Sequence, residues 1–524
     1  MRRTILSLAV LGNLAVSFAI PSGQQSQLPL TFPGTVDTKS INAKRQQAVK
    51  DAFLFAWNGY KEFSWGSDEH RPVSNGPSNS RNGWGATIVD SLDTLLLMDL
   101  LEEFDLARAH VAGINWHETR GNDLVDAFET NIRYIGGLLG AYDLSDDKLF
   151  LDKAVELADL LLPIFDSPTG IPYQFVDFPS GRPVKSAFPR GASVLAEVGS
   201  YQLEFTHISQ LTGNWTFHHK AQRVNDFFDG LRRKEKFPPG LYPILVDPDT
   251  GDFTTSQITY GGLGDSFYEY VIKQYILSGQ SDDQLRRLAL ESVQSLERHL
   301  LSSPVSRPDI VFLAQMIDGK QRFGMDELAC FAPGTLLLFA RAMELESLER
   351  VAHDLAHSCF HVWDATPTGI APENWGWVDE AKANITLPKL TKVQREQLKE
   401  WGFYIGWPGY ILRPETIESL FYFYRFTGDE KYRDMGWQLF ESINRHCRAR
   451  SGYSGLHDVT KFDILFPERN WNDSQESFFF AETLKYLYLL FNDDPNLIRL
   501  DEWVFNTEAH PLRILPSSMR SERN

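Results

Sequence analysis

Leu412-Arg413-Pro414-Glu415-Thr416-Ile417-Glu418-Ser419-Leu420-Phe421 opens a helical pattern that runs to Thr427, turns at Thr427-Gly428-Asp429, and resumes over residues 430–446. A glycine-led extended segment, Gly452-Tyr453-Ser454, closes the unit. Helix, tight turn, helix and extended crossover form the recurrence that decides the fold. Glu415 and Glu418 stand three residues apart, so they project from one helix face near the positive end of its dipole. Pro414 is compatible with a first helical turn, where its missing N–H is not needed. Trp407-Pro408-Gly409 precede the acids and aromatic residues fill 421–424. Acid set in aromatic surface suits a sugar, which offers both C–H faces and hydroxyls. Taken alone, the stretch also reads as an amphipathic helix with a solvated acidic start.

The same grammar repeats along the chain. Apolar residues recur at helical spacing over 43–60, 88–101, 126–142, 148–165, 193–212, 284–301, 333–343, 348–363 and 476–491. Glycine turns with extended segments follow several of them: Gly170-Ile171-Pro172-Tyr173, Gly240-Leu241-Tyr242-Pro243 and Gly369-Ile370-Ala371-Pro372-Glu373. Repeated helical hairpins joined by such crossovers predict a closed ring, an all-α toroid with short β segments in its loops. Inner helices of such a ring are apolar nearly all round, and their ends with the long loops form a cup. An open solenoid is the competing architecture, but its repeats are shorter and more regular. No linker divides residues 41–511, so one domain is expected there, followed by a tail over 512–524.

The chain has 524 residues, 69 acidic against 51 basic, and a formal net charge of −18, which speaks against nucleic acid as a partner. Arg2-Arg3 and an apolar run from Ile5 to Ala19, stopped by Pro21, read as a signal peptide over 1–19, followed by an extension over 20–40. The alternative, a membrane anchor, needs roughly 20 apolar residues, and Asn13 interrupts this run. No membrane span is therefore expected after cleavage, and the product is expected to be a secretory-pathway protein, luminal or secreted. Sequons at Asn214, Asn384 and Asn472 agree with that route. Of three cysteines, Cys330 and Cys359 flank a helical stretch and are the expected pair, leaving Cys447 as a free thiol. Neither Cys-x-x-Cys nor clustered histidines occur, which argues against zinc.

Four more acidic motifs lie at helix starts or inside apolar helices: Phe128-Glu129-Thr130-Asn131-Ile132-Arg133, Leu195-Ala196-Glu197-Val198-Gly199, Gly261-Gly262-Leu263-Gly264-Asp265 and Ala481-Glu482-Thr483-Leu484. An unpaired buried carboxylate is costly, so each needs a partner or a task. A salt bridge such as Glu129 with Arg133 would be the plain structural answer. Together with Trp84-Gly85-Ala86-Thr87-Ile88-Val89-Asp90-Ser91-Leu92-Asp93-Thr94 and Phe505-Asn506-Thr507-Glu508-Ala509-His510-Pro511, these segments resemble the class I α-1,2-mannosidases, glycoside hydrolase family 47. The resemblance runs from about Arg45 to Pro511.

That resemblance implies an (α/α)7 barrel and an inverting, calcium-dependent exo-α-1,2-mannosidase acting on high-mannose N-glycans, with a monomer as the expected state. Carried over position by position, Glu129 and Asp265 match the two candidates for the general acid, and Glu415 matches the general base. Thr507 matches the direct protein ligand of Ca2+. Glu418, Glu482, Glu508 and Glu197 match carboxylates that hold its waters. Arg413 and the glycan-contacting loops are expected to orient substrate, and the family's disulfide matches Cys330 with Cys359. Leu263 stands where the single-mannose-trimming endoplasmic-reticulum subgroup carries arginine, which points to removal of several mannoses, as in the Golgi-type branch. The alternative function is a mannose-binding quality-control lectin with little hydrolysis.

Overall fold

The computed structural model describes residues 38–120, 124–231, 237–379, 389–463, 465–520 and 522. The expected signal peptide, the extension up to residue 37, and Asn384 lie outside the described residues. Fourteen of the helices among the described residues build the fold: twelve form six consecutive hairpins, and the first and last pack together as a seventh pair. In chain order they are α1 (Thr38–Phe63), α2 (Leu92–Leu97), α3 (Leu101–Ala112), α4 (Gly136–Ser145), α5 (Lys148–Leu161), α6 (Gln202–Thr212) and α7 (Thr216–Leu231). The second half holds α8 (Asp265–Leu277), α9 (Asp283–His299), α10 (Ala332–Met343), α11 (Glu346–Ala365), α12 (Glu415–Thr427), α13 (Lys431–His446) and α14 (Leu484–Leu490).

Each even-numbered helix packs on the next even one, and the turn leading into α14 packs back on α2, so the inner ring closes. The odd-numbered helices form an outer ring, with α1 covering α14. This is an (α/α)7 barrel. The sequence explains the layering: every residue of α8 from Ser266 to Leu277 is buried, whereas α9 buries only one stripe. Hairpin turns follow helix-end chemistry. Gly213 and Gly428 end α6 and α12 at φ 75° and 66°, a conformation glycine adopts without strain. Asp282 caps α9 by accepting from the Gln284 and Leu285 N–H groups.

Short antiparallel strands edge the loops, as expected. Leu124–Asp126 pairs with Phe175–Asp177, and Gly324–Asp326 pairs with Asn374–Gly376, so each delivers an aspartate to the rim. A last hairpin, Trp503–Phe505 with Pro511–Arg513, packs against α8 and α4 and places the turn 506–510 inside the barrel. Cys330 and Cys359 form a disulfide joining the start of α10 to α11, and Cys447 is a free, buried thiol. No helix among the described residues is long and apolar enough to cross a membrane. Asn214 is exposed in the α6–α7 turn, whereas the half-buried Asn472 accepts from Ser474 N at 3.1 Å and is held in a folded loop.

Four expected helices differ from the observed elements, the span 476–491 by starting at Phe478 and passing through a π-helix. The span 88–101 is broken at Ser91 and again at Asp99, whose φ is 52°. The span 126–142 begins on a strand residue and passes through a π-helix, Thr130–Ile135. The span 193–212 opens as a strand and a single turn before α6. In each, apolar periodicity continues through the break because both sides face the same core. The helices α3 and α7, and the exposed Lys392–Trp401, fall outside the expected spans; α7 has a polar surface face that dilutes its apolar stripe.

Candidate active site

The N-terminal ends of the inner helices converge on one cavity of about 330 Å³. Glu129, Glu197, Leu263, Asp265, Arg413, Glu415, Glu418, Glu482, Thr507 and Glu508 all line it. These ten positions come from six separate sequence segments, so the fold gathers every residue singled out for the site. Helix N-termini carry partial positive charge, which favours acids there.

Glu415 is the first residue of α12, with Pro414 just outside the helix. Leu412, buried at φ 72°, turns the chain sharply into this start. One Glu415 oxygen lies 3.6 Å from Arg413 Nη1, and the other, Oε2, is buried without a hydrogen-bond partner. Arg413 is anchored by Glu373 at 2.9 Å, so its guanidinium is tied to two carboxylates rather than free. Burial pushes Glu415 up to about 7, although Arg413 opposes it.

Asp265 begins α8 after the run Gly261–Gly264. Gly261 is required, because a Cβ there would lie 2.3 Å from Asp326 Oδ1, and that carboxylate accepts the Gly262 N–H. Asp265 accepts from Ser266 N at 2.8 Å. Burial, followed by the negative charge of Asp326, Glu269 and Glu415, pushes it up to about 8. Leu263, at φ 76° and 41% exposed, presents its side chain at the cavity wall.

Glu129 differs from both. Burial raises it, but Arg133 Nε at 2.7 Å and Arg81 Nε at 3.2 Å outweigh burial and hold it well below the usual carboxylate range. The plain salt-bridge reading of Glu129 with Arg133 therefore holds alongside its place in the cavity. Asp126, at the cap of the same turn, accepts Glu129 N at 3.1 Å and is itself pushed up by burial and by Glu129.

The floor is the turn 506–510. Asn506 organises it by donating to Ile132 O and Glu204 and accepting from Glu508 N and His510 N. Gly136 makes room, since a Cβ there would meet Asn506 Nδ2 at 2.4 Å. Glu508 pairs with Arg133, and Glu418 lies 3.6 Å from Lys273. Glu482 sits on a second π-helix, Phe479–Thr483, and burial, then Glu508, Glu415 and Glu418, drive it far up. Burial and the neighbouring Asp126 do the same to Glu197, whose Oε2 has no partner.

Nine carboxylates line this cavity. They outnumber the cations Arg81, Arg133, Arg413 and Lys273, so the wall is rich in carboxyl oxygen. No three His, Cys, Asp or Glu side chains among the described residues come close enough to hold a metal ion alone. The Thr507 side chain lines the floor with no hydrogen bond from its hydroxyl among the described residues. A free hydroxyl among carboxyl groups that outnumber their cationic partners fits a hard cation bound by one protein residue and through water.

A family model described as glycosyl hydrolase family 47 matches residues 52–514. The chain belongs to glycosyl hydrolase family 47. Within this family, it is 39% identical to mouse mannosyl-oligosaccharide 1,2-alpha-mannosidase IB over 90% of this chain and 70% of that one. It is 38% identical to Arabidopsis thaliana mannosyl-oligosaccharide 1,2-alpha-mannosidase MNS1, over 91% and 80%. The solved alpha-1,2-mannosidase from Trichoderma reesei superposes with a TM-score of 0.85 at 35% identity, covering 90% of this chain and 99% of that one.

Beneath the floor of this family 47 site lies a buried ion-pair network that the sequence motifs contain without announcing. His510 bridges Asp93 at 2.8 Å and Asp90 at 3.3 Å; Lys485 pairs with Asp93 at 2.8 Å; Asp90 reaches Arg133 at 3.6 Å. Burial alone would strip His510 of its proton, but the two aspartates hold its affinity for a proton above the ordinary value. His510→Ala leaves both acids buried without this partner and is expected to cost about 3–5 kcal/mol, read as a loss of several degrees in thermal melting. Asp126, Glu269 and Glu204 were not among the acids singled out from the sequence.

Proposed function

We infer that this chain releases terminal α-1,2-linked mannose with inversion of configuration, using calcium, and that its substrates are high-mannose N-glycans met in a luminal or secreted setting. The chain is an α-1,2-mannosidase. The observation carrying the mechanistic reading is the contrast between two acids on one cavity: Asp265, which burial keeps protonated to about 8, and Glu415, whose Oε2 has no protein partner. Inversion needs one acid, one base and room for a water between them. Glu415 accepts the proton of the attacking water, and Asp265 donates its proton to the departing glycosidic oxygen. Glu129, held ionised by two arginines, orients groups around the bond rather than carrying the proton. Arg413 braces Glu415 and presents its guanidinium to the sugar.

Thr507, with waters held by Glu418, Glu482, Glu508 and Glu197, would hold the calcium. Calcium bound there supplies a loose-geometry grip on vicinal sugar hydroxyls. Incubating the purified protein with a high-mannose N-glycan, with calcium or with chelator, tests this by mass spectrometry of released mannose. Loss of several mannoses only with calcium is expected; tight glycan binding without release would favour the lectin function instead.

Leu263 sets how far trimming goes. Its exposed side chain at the wall leaves room that a guanidinium would occupy. Leu263→Arg is expected to narrow the product range to fewer released mannoses, seen in the glycan mass profile over time. An unchanged order and extent of trimming would remove Leu263 as the determinant.

A further inference from the structure

A second cavity, of about 620 Å³, lies between the hairpins α6–α7 and α8–α9. The C-terminal tail residue Arg520 forms part of its wall. Nine residues separate Asp265 from Gln274 along α8, about 13 Å of helix, so this cavity stands toward the barrel end away from the acids. Three side chains on its wall carry buried polar atoms without a hydrogen-bond partner: Gln210 Oε1, Gln274 Nε2 and Arg520 Nε. Gln210 and Gln274 are only 6% and 7% exposed. Gln274 is oriented by Asn225, whose amide donates to its Oε1 at 2.8 Å, leaving Nε2 unused. Arg520 is anchored by donating to Ser278 O at 2.6 Å, and it passes where only a glycine allows, since a Cβ on Gly279 would lie 1.4 Å from its Nη1.

The mixture of unused groups selects a ligand class. One acceptor and two donors are waiting. An anion would serve the donors, leave Gln210 Oε1 unpaired, and face Asp282 and Glu522 on the same wall. A cation would face Arg520. An apolar molecule would leave all three unserved. Hydroxyl groups both donate and accept, so a neutral polyol serves every one. Trp215 and His218 add an aromatic wall, edge to face at 5.4 Å and 83°, of the kind that packs on the C–H face of a pyranose.

We propose that this cavity is a second carbohydrate site, taking a neutral sugar ring from an N-linked glycan, separate from the hydrolytic one. Two sources offer that ring. The exposed sequon residue Asn214 immediately precedes Trp215, so a glycan on this chain could fold into the cavity; alternatively, the glycan of another glycoprotein docks there.

The test is titration of the full chain with N,N′-diacetylchitobiose, a sugar without mannose, by ligand-observed NMR and calorimetry. The glycosylated protein and Asn214→Gln are compared, each with and without Gln210→Leu or Trp215→Ala. Trp215→Ala keeps the sequon, and the near-isosteric Gln210→Leu covers the case in which the tryptophan variant misfolds. Binding weakened at least tenfold by both cavity substitutions, with mannose release unchanged, is the expected result. Equal binding with and without the Asn214 glycan assigns the site to an external glycan; binding seen only in Asn214→Gln assigns it to the chain's own. Any other pattern, including no binding in either form or binding insensitive to the substitutions, overturns the proposal and leaves a water-filled cavity.

Discussion

Glu415→Gln is expected to lower kcat about 10²- to 10⁴-fold while leaving the melting temperature and glycan affinity nearly unchanged. The substitution keeps the volume and the oxygen that faces Arg413 at 3.6 Å. It replaces one carboxylate oxygen by an amide that cannot take a proton from water. Because Oε2 has no protein hydrogen bond to lose, the fold gives up little, and removing a group that burial disfavours in its charged form offsets part of that. Single-turnover release of mannose measures the chemical step, and glycan titration measures binding. Turnover equal to that of the unaltered protein would sink the assignment of Glu415 as base. A large loss of both turnover and thermal stability would instead make Glu415 a support for Arg413 and Glu373.

The architecture was legible because its signals are local and repeated. Apolar periodicity and glycine turns are set by residues a few positions apart, so hairpins such as α12–α13 can be read directly from the chain. The breaks were not legible, because at the π-turn Thr130–Ile135 the buried Asn131 donates to Ser200 and Glu204 of the neighbouring inner-ring segment, 69 and 73 positions away in sequence. Long-range partners leave no spacing signal. The site divides the same way. Glu415 and Glu418 announce themselves by helical spacing, and Asp265 by the glycines before it. Thr507 came only from resemblance to a family, because its meaning depends on a hairpin that carries it into the barrel. The protonation contrast was only half legible. Helical spacing put Arg133 beside Glu129, but Arg81 beside that acid and Asp326 beside Asp265 are brought there only by the fold.

That contrast yields the second large prediction, on the alkaline limb of the pH profile of kcat/KM. A carboxyl raised above its ordinary value keeps its proton below the raised value and loses it above. Asp265 at about 8 thus carries its proton through neutral pH, and activity is expected to fall as pH rises through that value. On the acid side, activity is expected to fall as Glu415, at about 7, takes up a proton; calcium held at Thr507 would stabilise the Glu415 anion and would move that limb to lower pH. Asp265→Asn is expected to cost about 10²- to 10⁴-fold in kcat/KM and to abolish the alkaline limb, since no titrating acid is left at that position. Glu129→Gln weakens the hold on Arg133 and lowers activity, but the alkaline limb stays, because its proton sits elsewhere. The two variants followed from pH 4 to 10 decide the matter through shape rather than rate alone. An alkaline limb that survives Asp265→Asn and disappears with Glu129→Gln would transfer the acid role to Glu129, acting through a water between its carboxylate and the leaving oxygen.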